Sequence, residues 1–213
     1  MFDMDLFING LVNRSPSHAV EHLLLVIIPL SIAITVGCSI GIILTRPRFR
    51  WLTPQVMSVL NAGQCIPPLA VIAIFLPFLG LGWGPAIMAL TIYCLLPITR
   101  NTIAGLDGVP HDVKESALGM GMSHREVFFK VEVPLSLPVV LAGVKTSTVL
   151  TVGTAVLASL VAAGGMGTVI FAGIDFFQQE LIVAGTLVIG AIAIFFERLI
   201  TLVERIFVPK HLR

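Results

Sequence analysis

The chain has 213 residues, of which 56% are hydrophobic and only 12% are charged. Its mean hydropathy is +1.00, and several apolar runs exceed the roughly 18 residues that indicate a membrane-spanning helix. This composition excludes a soluble globular domain. The net charge of +1 says nothing by itself. Nucleic acid is not expected as a partner, because no basic face is left once the cytoplasmic loops are accounted for.

The first span is predicted at about 23–44, and Ser15–Pro16 is expected to separate it from the polar start of the chain. His18 and His22 lie four residues apart, at helical spacing. A metal site there would need further ligands, and Glu21 is expected on another face of the helix. We therefore predict no metal site.

A basic cluster follows the first span, with Trp51 beside it. Its three arginines, Arg46, Arg48 and Arg50, indicate a cytoplasmic loop. A patch for lipid phosphates is a compatible second interpretation.

The second span, at about 56–79, is interrupted by polar residues and by Pro67–Pro68. We expect a bend or a short non-helical break there. Irregular backbone at membrane depth persists only where protein or a water-filled cavity covers it, so this segment is predicted to face the interior of the bundle. The third span is predicted at about 85–103.

The polar loop 107–134 lies between the third and fourth spans. Pro110 suits the first turn of a helix that ends near Gly119, and Gly121 allows a tight reversal. Ser123 and Glu126 have the spacing of a capping box, which predicts a second helix.

Apolar residues of that second helix recur at helical spacing, and Pro134 is expected to end it. These residues are Val127, Phe128 and Val131.

The loop resembles the cytoplasmic coupling loop of bacterial ABC importer permeases. That family has Glu-Ala-Ala, three residues, Gly, nine residues and then Ile-x-Leu-Pro. The matching positions here are Glu115, Ala117, Gly121, Val131, Val133 and Pro134. Ser116, Val131 and Val133 depart from the pattern conservatively.

The resemblance implies that the loop docks in a groove of a separate cytoplasmic ATPase and transmits its closure on ATP to the spans. On this hypothesis Glu115 anchors the first helix, Gly121 permits the elbow, and Val127, Phe128 and Val131 supply apolar contact. Packing of these apolar residues against the chain's own spans is the alternative.

The fourth span, at about 135–158, contains Lys145. A lysine at the bilayer centre costs roughly 2.5–3.5 kcal/mol on insertion scales. Pro134 and Pro138 suggest that the first turns of this helix lie below the membrane, so that Lys145 is shallow enough to extend to the interface. The alternative is a pathway residue beside Thr146, Thr148 and Thr151.

Residues 159–177 are apolar and rich in glycine, but short for a span. We predict a re-entrant or outer-surface helix after a turn at Gly164–Gly165; the alternative is a sixth span. The last span is predicted at about 181–202, followed by a basic tail.

Five spans with the N-terminus outside satisfy the positive-inside rule. The outer segments then hold only Arg14. The inner segments hold eleven basic residues: Arg46, Arg48, Arg50, Arg100, Lys114, Arg125, Lys130, Arg198, Arg205, Lys210 and Arg213. A sixth span would place the C-terminal basic residues outside, so we favour five.

Several sequence segments resemble those of osmoprotectant permeases, which import glycine betaine, choline, carnitine and related compounds. They are GQCIPPLAVIAI, LGWGPAIMALTIYCLLPITRNT and GVKTSTVLTVGTAVLASLVAAGGMG. Methionine permeases share the architecture and part of the pattern, so a methionine-type amino-acid importer is the alternative.

A quaternary ammonium ion is normally held by aromatic faces, and Trp51, Trp83 and Tyr93 form no evident cage. We therefore expect an external solute-binding protein to select the solute. The candidate pathway residues are Asn61, Gln64, Thr91, Tyr93, Lys145, Thr148 and Thr154. Hydrogen bonding to their own helix backbone is the alternative role.

No nucleophile–base pair, paired carboxylates or phosphate-binding G-x-x-x-x-G-K-[ST] loop is present. An enzyme embedded in the membrane and an ion channel with GGMG as its filter are weaker alternatives. We expect no cofactor on this chain, with ATP and Mg²⁺ held by the partner ATPase. Cys38, Cys65 and Cys94 are expected as buried free thiols.

The sequence thus predicts an all-α integral membrane protein of the type I, methionine-permease-like fold. Residues 1–213 form one transmembrane domain of the cytoplasmic (inner) membrane, with about five spans, a coupling loop and a short outer helix. The expected partners are the ATPase, a second permease chain (identical or paralogous), a solute-binding protein and membrane lipid.

Overall fold

The computed structural model describes residues 2–208. Helices α1 (Met4–Leu44), α4 (Trp83–Asp107), α6 (His124–Val161) and α8 (Gln179–Phe207) are long and apolar enough to cross a membrane. A fifth span is present if the bent pair, Arg50–Cys65 followed by Pro68–Leu79, is counted as one. The prediction of about five spans in an all-helical fold is confirmed for the described residues.

Helix α1 begins much earlier than predicted. Ser15–Pro16 does not interrupt it, because a π-turn at Gly10–Arg14 precedes the proline. The backbone N–H of Ser15 donates to the carbonyl of Gly10, and its hydroxyl donates to the same oxygen at 2.7 Å. Pro16, which has no N–H, therefore begins a new helical register without leaving a partner unsatisfied.

The predicted break in the second span is present. Helix α2 (Thr53–Cys65) and helix α3 (Pro68–Leu79) meet at 97°, with Ile66 and Pro67 in extended conformation between them. Pro68 suits the first turn of α3, where an N–H has no partner in the helix.

Helix α4 is the central element, and glycines allow its neighbours to approach closely. An added Cβ at Gly41 of α1 would lie 2.6 Å from the Cβ of Thr102 on α4. One at Gly143 of α6 would lie 2.6 Å from the Cβ of Asn101. Gly37 and Gly41 form a G-x-x-x-G motif, which lets two membrane helices pack backbone to backbone.

The segment after α6 folds as an outer helix. Gly164 and Gly165 turn the chain with φ of +79° and +83°, where we predicted a turn, and α7 (Gly167–Asp175) follows. Nine residues at about 1.5 Å each extend far less than the roughly 30 Å hydrocarbon core, so α7 is not a sixth span.

Two other predictions need correction. Cys94 is buried and Cys38 is half-buried, but Cys65 is exposed, because it ends α2 at the break. Glu21 does not face away from His18: its Oε2 lies 2.9 Å from His18 Nδ1. His22 points inward, with Nε2 3.1 Å from the carbonyl of Val152. Within residues 2–208 no group of three His, Cys, Asp or Glu side chains is placed to hold a metal. Lys210 and Arg213 lie outside the described residues.

Candidate functional site

The loop 107–134 contains one free-standing helix, α5 (His111–Gly119), and the start of α6. Pro110 directly precedes α5 as its N-cap, and the preceding Val109 is buried. The chain reverses after α5 at Gly121, whose φ is +88°. The N–H groups of Gly121 and Met122 donate to the last carbonyls of α5, those of Leu118 and Ala117. The predicted elbow is therefore present.

The predicted capping box starts α6. The Glu126 N–H donates to Ser123 Oγ at 3.3 Å, and the Ser123 N–H donates to Glu126 Oε2 at 3.0 Å. Lys130 Nζ also lies 2.9 Å from Glu126 Oε1. The hydrogen bond from Lys130, followed by those from Ser123, lowers the pKa of Glu126 to about 2. This carboxylate, which precedes the apolar part of α6, is therefore ionised at neutral pH.

Pro134 does not end the second helix, contrary to our expectation. A π-turn at Phe128–Glu132 precedes it, and the Val133 N–H donates to the carbonyl of Phe128. As at Pro16, the wider π-turn shifts the register of the backbone hydrogen bonds. The N–H that proline lacks therefore does not interrupt the hydrogen bonding of the helix. The second half of the loop is consequently continuous with the membrane span, and a force on it acts directly on α6.

Burial separates the loop residues into two groups. Ala117 and Val127 are only 3% and 4% exposed, and Phe128 and Val131 are half-buried. For Val127, packing within the chain is therefore the observed role, and it is not available to a partner. Glu115 is exposed, with its carboxylate 3.5 Å from Nδ1 of His111 on the same helix.

The most exposed apolar residues of the loop are ones that the sequence analysis did not select. Met120 and Phe129 are 73% and 68% exposed. A shallow cavity of about 310 Å³, which we call the loop cavity, is lined by Asp112, Val113, Ser116, Ala117, Met120, Met122 and Val131. Val113, Ala117 and Met120 recur at helical spacing, a pattern that could have identified this face.

Gln64 and Tyr93 are brought together at the break between α2 and α3. Gln64 Nε2 donates to the backbone carbonyl of Tyr93 at 2.8 Å, and the Tyr93 hydroxyl donates to the carbonyl of Ile66. The two side chains thus hold the bent segment on α4. Asn61, one turn earlier on α2, accepts a hydrogen bond from Arg100 at 2.7 Å.

The threonines of the predicted pathway bond their own helices. Thr91, Thr148 and Thr154 each donate to the carbonyl four residues earlier, at 2.7–2.8 Å. Thr148 is also fully buried. Each hydroxyl proton is therefore used within its own helix, as in the alternative role that we gave these residues, and a contribution of the three threonines to the pathway stays a prediction.

Lys145 has an acidic partner that the sequence analysis missed. Its Nζ lies 2.6 Å from Glu204 Oε2, near the C-terminal end of α8. The pair links α6 to α8 at the end of the bundle where α8 finishes, which agrees with a shallow position. Lys145 and Glu204 are 59 positions apart in sequence, so no local sequence pattern predicted this contact.

Long apolar helices around a broken span, with a two-helix loop at one end, match the architecture of ABC importer permease subunits. Solved structures show the same fold. A chain from inward-facing MetNI methionine ABC transporter aligns with a TM-score of 0.70 over 94% of this chain and 97% of that one, at 20% identity. An amino acid ABC transporter solved with histidines aligns with a TM-score of 0.71 over 94% of both chains, at 17% identity.

The chain belongs to the family of binding-protein-dependent transport system inner membrane components, whose model matches residues 37–211. It is 39% identical to a glycine betaine/carnitine/choline transport system permease protein of Bacillus subtilis (strain 168), over 91% of this chain and 88% of that protein. An osmoprotectant import permease protein of Salmonella typhimurium (strain LT2) is 42% identical, over 81% of this chain and 71% of that protein.

Proposed function

We propose that this chain is the permease subunit of an ATP-driven importer for osmoprotectants of the glycine betaine, choline and carnitine type. The observation that carries the proposal is 39% identity to a glycine betaine/carnitine/choline permease protein across 91% of the chain. The methionine-type alternative has weaker support, because the solved amino-acid transporters are 17–20% identical and share only the fold.

The loop 107–134 is the proposed attachment point for a cytoplasmic ATPase, which would hold ATP and Mg²⁺. Its continuity with α6 and the exposed apolar lining of the loop cavity support this role. Contact would run through Val113 and Met120, with Glu115 available on the surface and Gly121 forming the elbow. Ala117 and Val131 also line the loop cavity. In this proposal Val127, Phe128 and Pro134 maintain the shape of the loop.

Solute selection is assigned to an external solute-binding protein. Trp51 is exposed beside the basic loop, and the Tyr93 hydroxyl donates its hydrogen bond to the carbonyl of Ile66 in the broken span. Neither ring forms a cage with another aromatic residue among the described ring pairs. The passage would run beside α2 and α3, between this chain and a second permease chain. Asn61 and Gln64 are the pathway residues retained in this proposal.

Reconstitution in nanodiscs tests the function. The chain is assembled with its ATPase and solute-binding protein, and ATP hydrolysis is measured with the binding protein loaded with glycine betaine, choline, carnitine or methionine. Stimulation by a quaternary ammonium compound and not by methionine is expected. Stimulation by methionine alone would overturn the proposed solute class.

A further inference from the structure

One buried carboxylate lies at the junction between the loop and the spans. Glu132 is the last residue of the π-turn in α6 and is only 9% exposed. The motif that the loop resembles leaves this position unspecified, since it falls between Val131 and Val133. The nearest cation in sequence, Lys130, is two residues away and pairs instead with Glu126, so sequence reasoning did not select Glu132.

Two cations from different elements meet this carboxylate. Arg46 Nη2, from the loop after α1, lies 3.0 Å from Glu132 Oε2. Lys114 Nζ, from α5, lies 3.4 Å from Glu132 Oε1. Each oxygen of Glu132 therefore has its own cation, and the carboxylate links α1, α5 and α6.

Further contacts fix the two cations in place. The guanidinium of Arg46 lies 4.7 Å from the centre of the Phe128 ring, and its Nε donates to the carbonyl of Ile42 at 3.4 Å. Lys114 Nζ donates to the carbonyl of Leu106, near the end of α4, at 3.3 Å. Through Lys114 the cluster thus also reaches α4, the central helix.

This cluster is the ionic connection between α5 and the spans. Within residues 2–208, Lys114 is the only side chain of α5 with an ion pair outside that helix. Apart from the backbone hydrogen bonds of the elbow at Gly121, α5 contributes the buried Ala117 and apolar residues of the loop cavity. A charged pair with low exposure resists separation more strongly than an exposed pair, because water screens it less.

We propose that Glu132 is a positioning residue for energy coupling: it holds α5 against α1, α4 and α6, so that a displacement of α5 moves these spans together. The inference rests on the proposed function, because it requires an ATPase that moves α5. Without the carboxylate, Arg46 and Lys114 would repel each other across the gap, and α5 would move with the ATPase independently of the spans.

The test measures uptake and ATP hydrolysis together in proteoliposomes that contain the permease, its ATPase and the loaded binding protein. Glu132→Gln is expected to assemble with the ATPase and to hydrolyse ATP, while solute uptake per ATP falls by about five- to tenfold. Lys114→Met, which changes a less buried partner, should lower the same ratio. Glu132→Asp keeps the negative charge and should recover most of the wild-type uptake per ATP.

An exposed ion pair in the same region is the matched control. Arg50 and Asp107 are 3.1 Å apart with side chains 64% and 37% exposed, so Asp107→Asn should leave uptake per ATP within about twofold of wild type.

The outcomes separate the two proposals. A wild-type ratio in both Glu132→Gln and Lys114→Met overturns the positioning role and leaves the proposed function intact. Loss of assembly and of thermal stability in both variants would assign the cluster a structural role only, which also overturns it. Failure of the wild-type chain to import any solute would overturn the proposed function itself.

Discussion

Tyr93 shows how one side chain supports an irregular piece of backbone in a membrane protein. The extended residues Ile66 and Pro67 leave helix-terminal carbonyls without partners in α2, and a carbonyl at membrane depth has no water to bind. The Tyr93 hydroxyl donates a hydrogen bond to the carbonyl of Ile66, and Gln64 Nε2 donates one to the carbonyl of Tyr93. The sequence indicated both polar residues, but not that they satisfy backbone groups.

Tyr93→Phe tests this role. The ring remains, but the Ile66 carbonyl loses its donor, which should cost about 1 kcal/mol and lower the melting temperature by roughly 2–4 °C. The measurement is thermal unfolding of the purified chain in detergent. Thr91→Val on the same helix removes a hydroxyl that bonds only its own helix and should change little. Equal effects of the two substitutions would contradict the assignment.

Ser123 is the second residue with a definable energetic role. Ser123→Ala removes the acceptor for the Glu126 N–H and should destabilise the start of α6 by about 1 kcal/mol. Amide hydrogen exchange at Glu126 is then expected to accelerate by about fivefold. Ser123→Asp retains a side-chain acceptor and should retain protection. Unchanged exchange in Ser123→Ala would show that the cap contributes nothing.

Helix α4 depends on close approach to α6 at the scale of whole elements. An added Cβ at Gly143 would lie 2.8 Å from the carbonyl of Pro97, and one at Gly105 would lie 2.9 Å from the carbonyl of Ser136. Backbone atoms cannot move aside as a flexible side chain can. Larger residues at these positions must therefore separate the two helices.

Gly143→Leu is expected to destabilise the chain by about 1–3 kcal/mol or more, since overpacking at a helix contact forces backbone shifts. Gly153, on the same helix α6, has open space around an added Cβ. Gly153→Ala should be neutral or raise stability by about 0.5–1 kcal/mol. Thermal unfolding of both variants measures the difference. Equal destabilisation by the two substitutions would show that the close approach of α4 and α6 is not the cause of the destabilisation.

The elements also show where sequence patterns reach their limit. Apolar run length predicted the spans, and Pro67–Pro68 predicted the break, because both depend on local chemistry. Pro16 was expected to separate the start of the chain from the first span, and Pro134 was expected to end a helix, yet a π-turn before each one preserves the helix. The compensation depends on the preceding five residues and on tertiary packing, which proline alone does not reveal.

Sequence reasoning identified the backbone of the candidate site better than its side-chain contacts. Gly121 and the Ser123–Glu126 box were predictable from conformational preference and capping chemistry. The burial of Val127, the exposure of Met120 and the pairing of Glu132 with Arg46 depend on how distant elements pack. Periodicity identifies a helix face, but in a short loop it does not distinguish the face that packs inward from the face that remains exposed.

The whole molecule has two chemically different ends. The Arg46–Glu132 and Arg50–Asp107 pairs bring the basic loop after α1 against the loop 107–134. The 38-residue helix α6 extends roughly 57 Å from there at 1.5 Å per residue, which places α7 at the far end. Since basic residues concentrate on the cytoplasmic side, we expect the loop 107–134 in the cytoplasm and α7 outside.

Cysteine labelling tests this orientation in a Cys65→Ser background, which removes the exposed thiol. Met120→Cys and Phe177→Cys place thiols at exposed positions of the two ends, 73% and 93% exposed in the wild-type residues. A membrane-impermeant maleimide should label Phe177→Cys in right-side-out vesicles and Met120→Cys only in inside-out vesicles. The reverse pattern would invert the topology and remove the loop from any cytoplasmic ATPase.

Docking of the ATPase at the loop cavity is the claim on which the account depends, and copurification measures it most directly. Val113→Glu with Met120→Glu places two charges in the apolar lining, whereas Phe176→Glu alters an exposed residue beside α7. We predict that the double variant loses at least about tenfold in ATPase affinity, or 1.4 kcal/mol, while Phe176→Glu binds as wild type does. Full retention of the ATPase by the double variant would contradict the account.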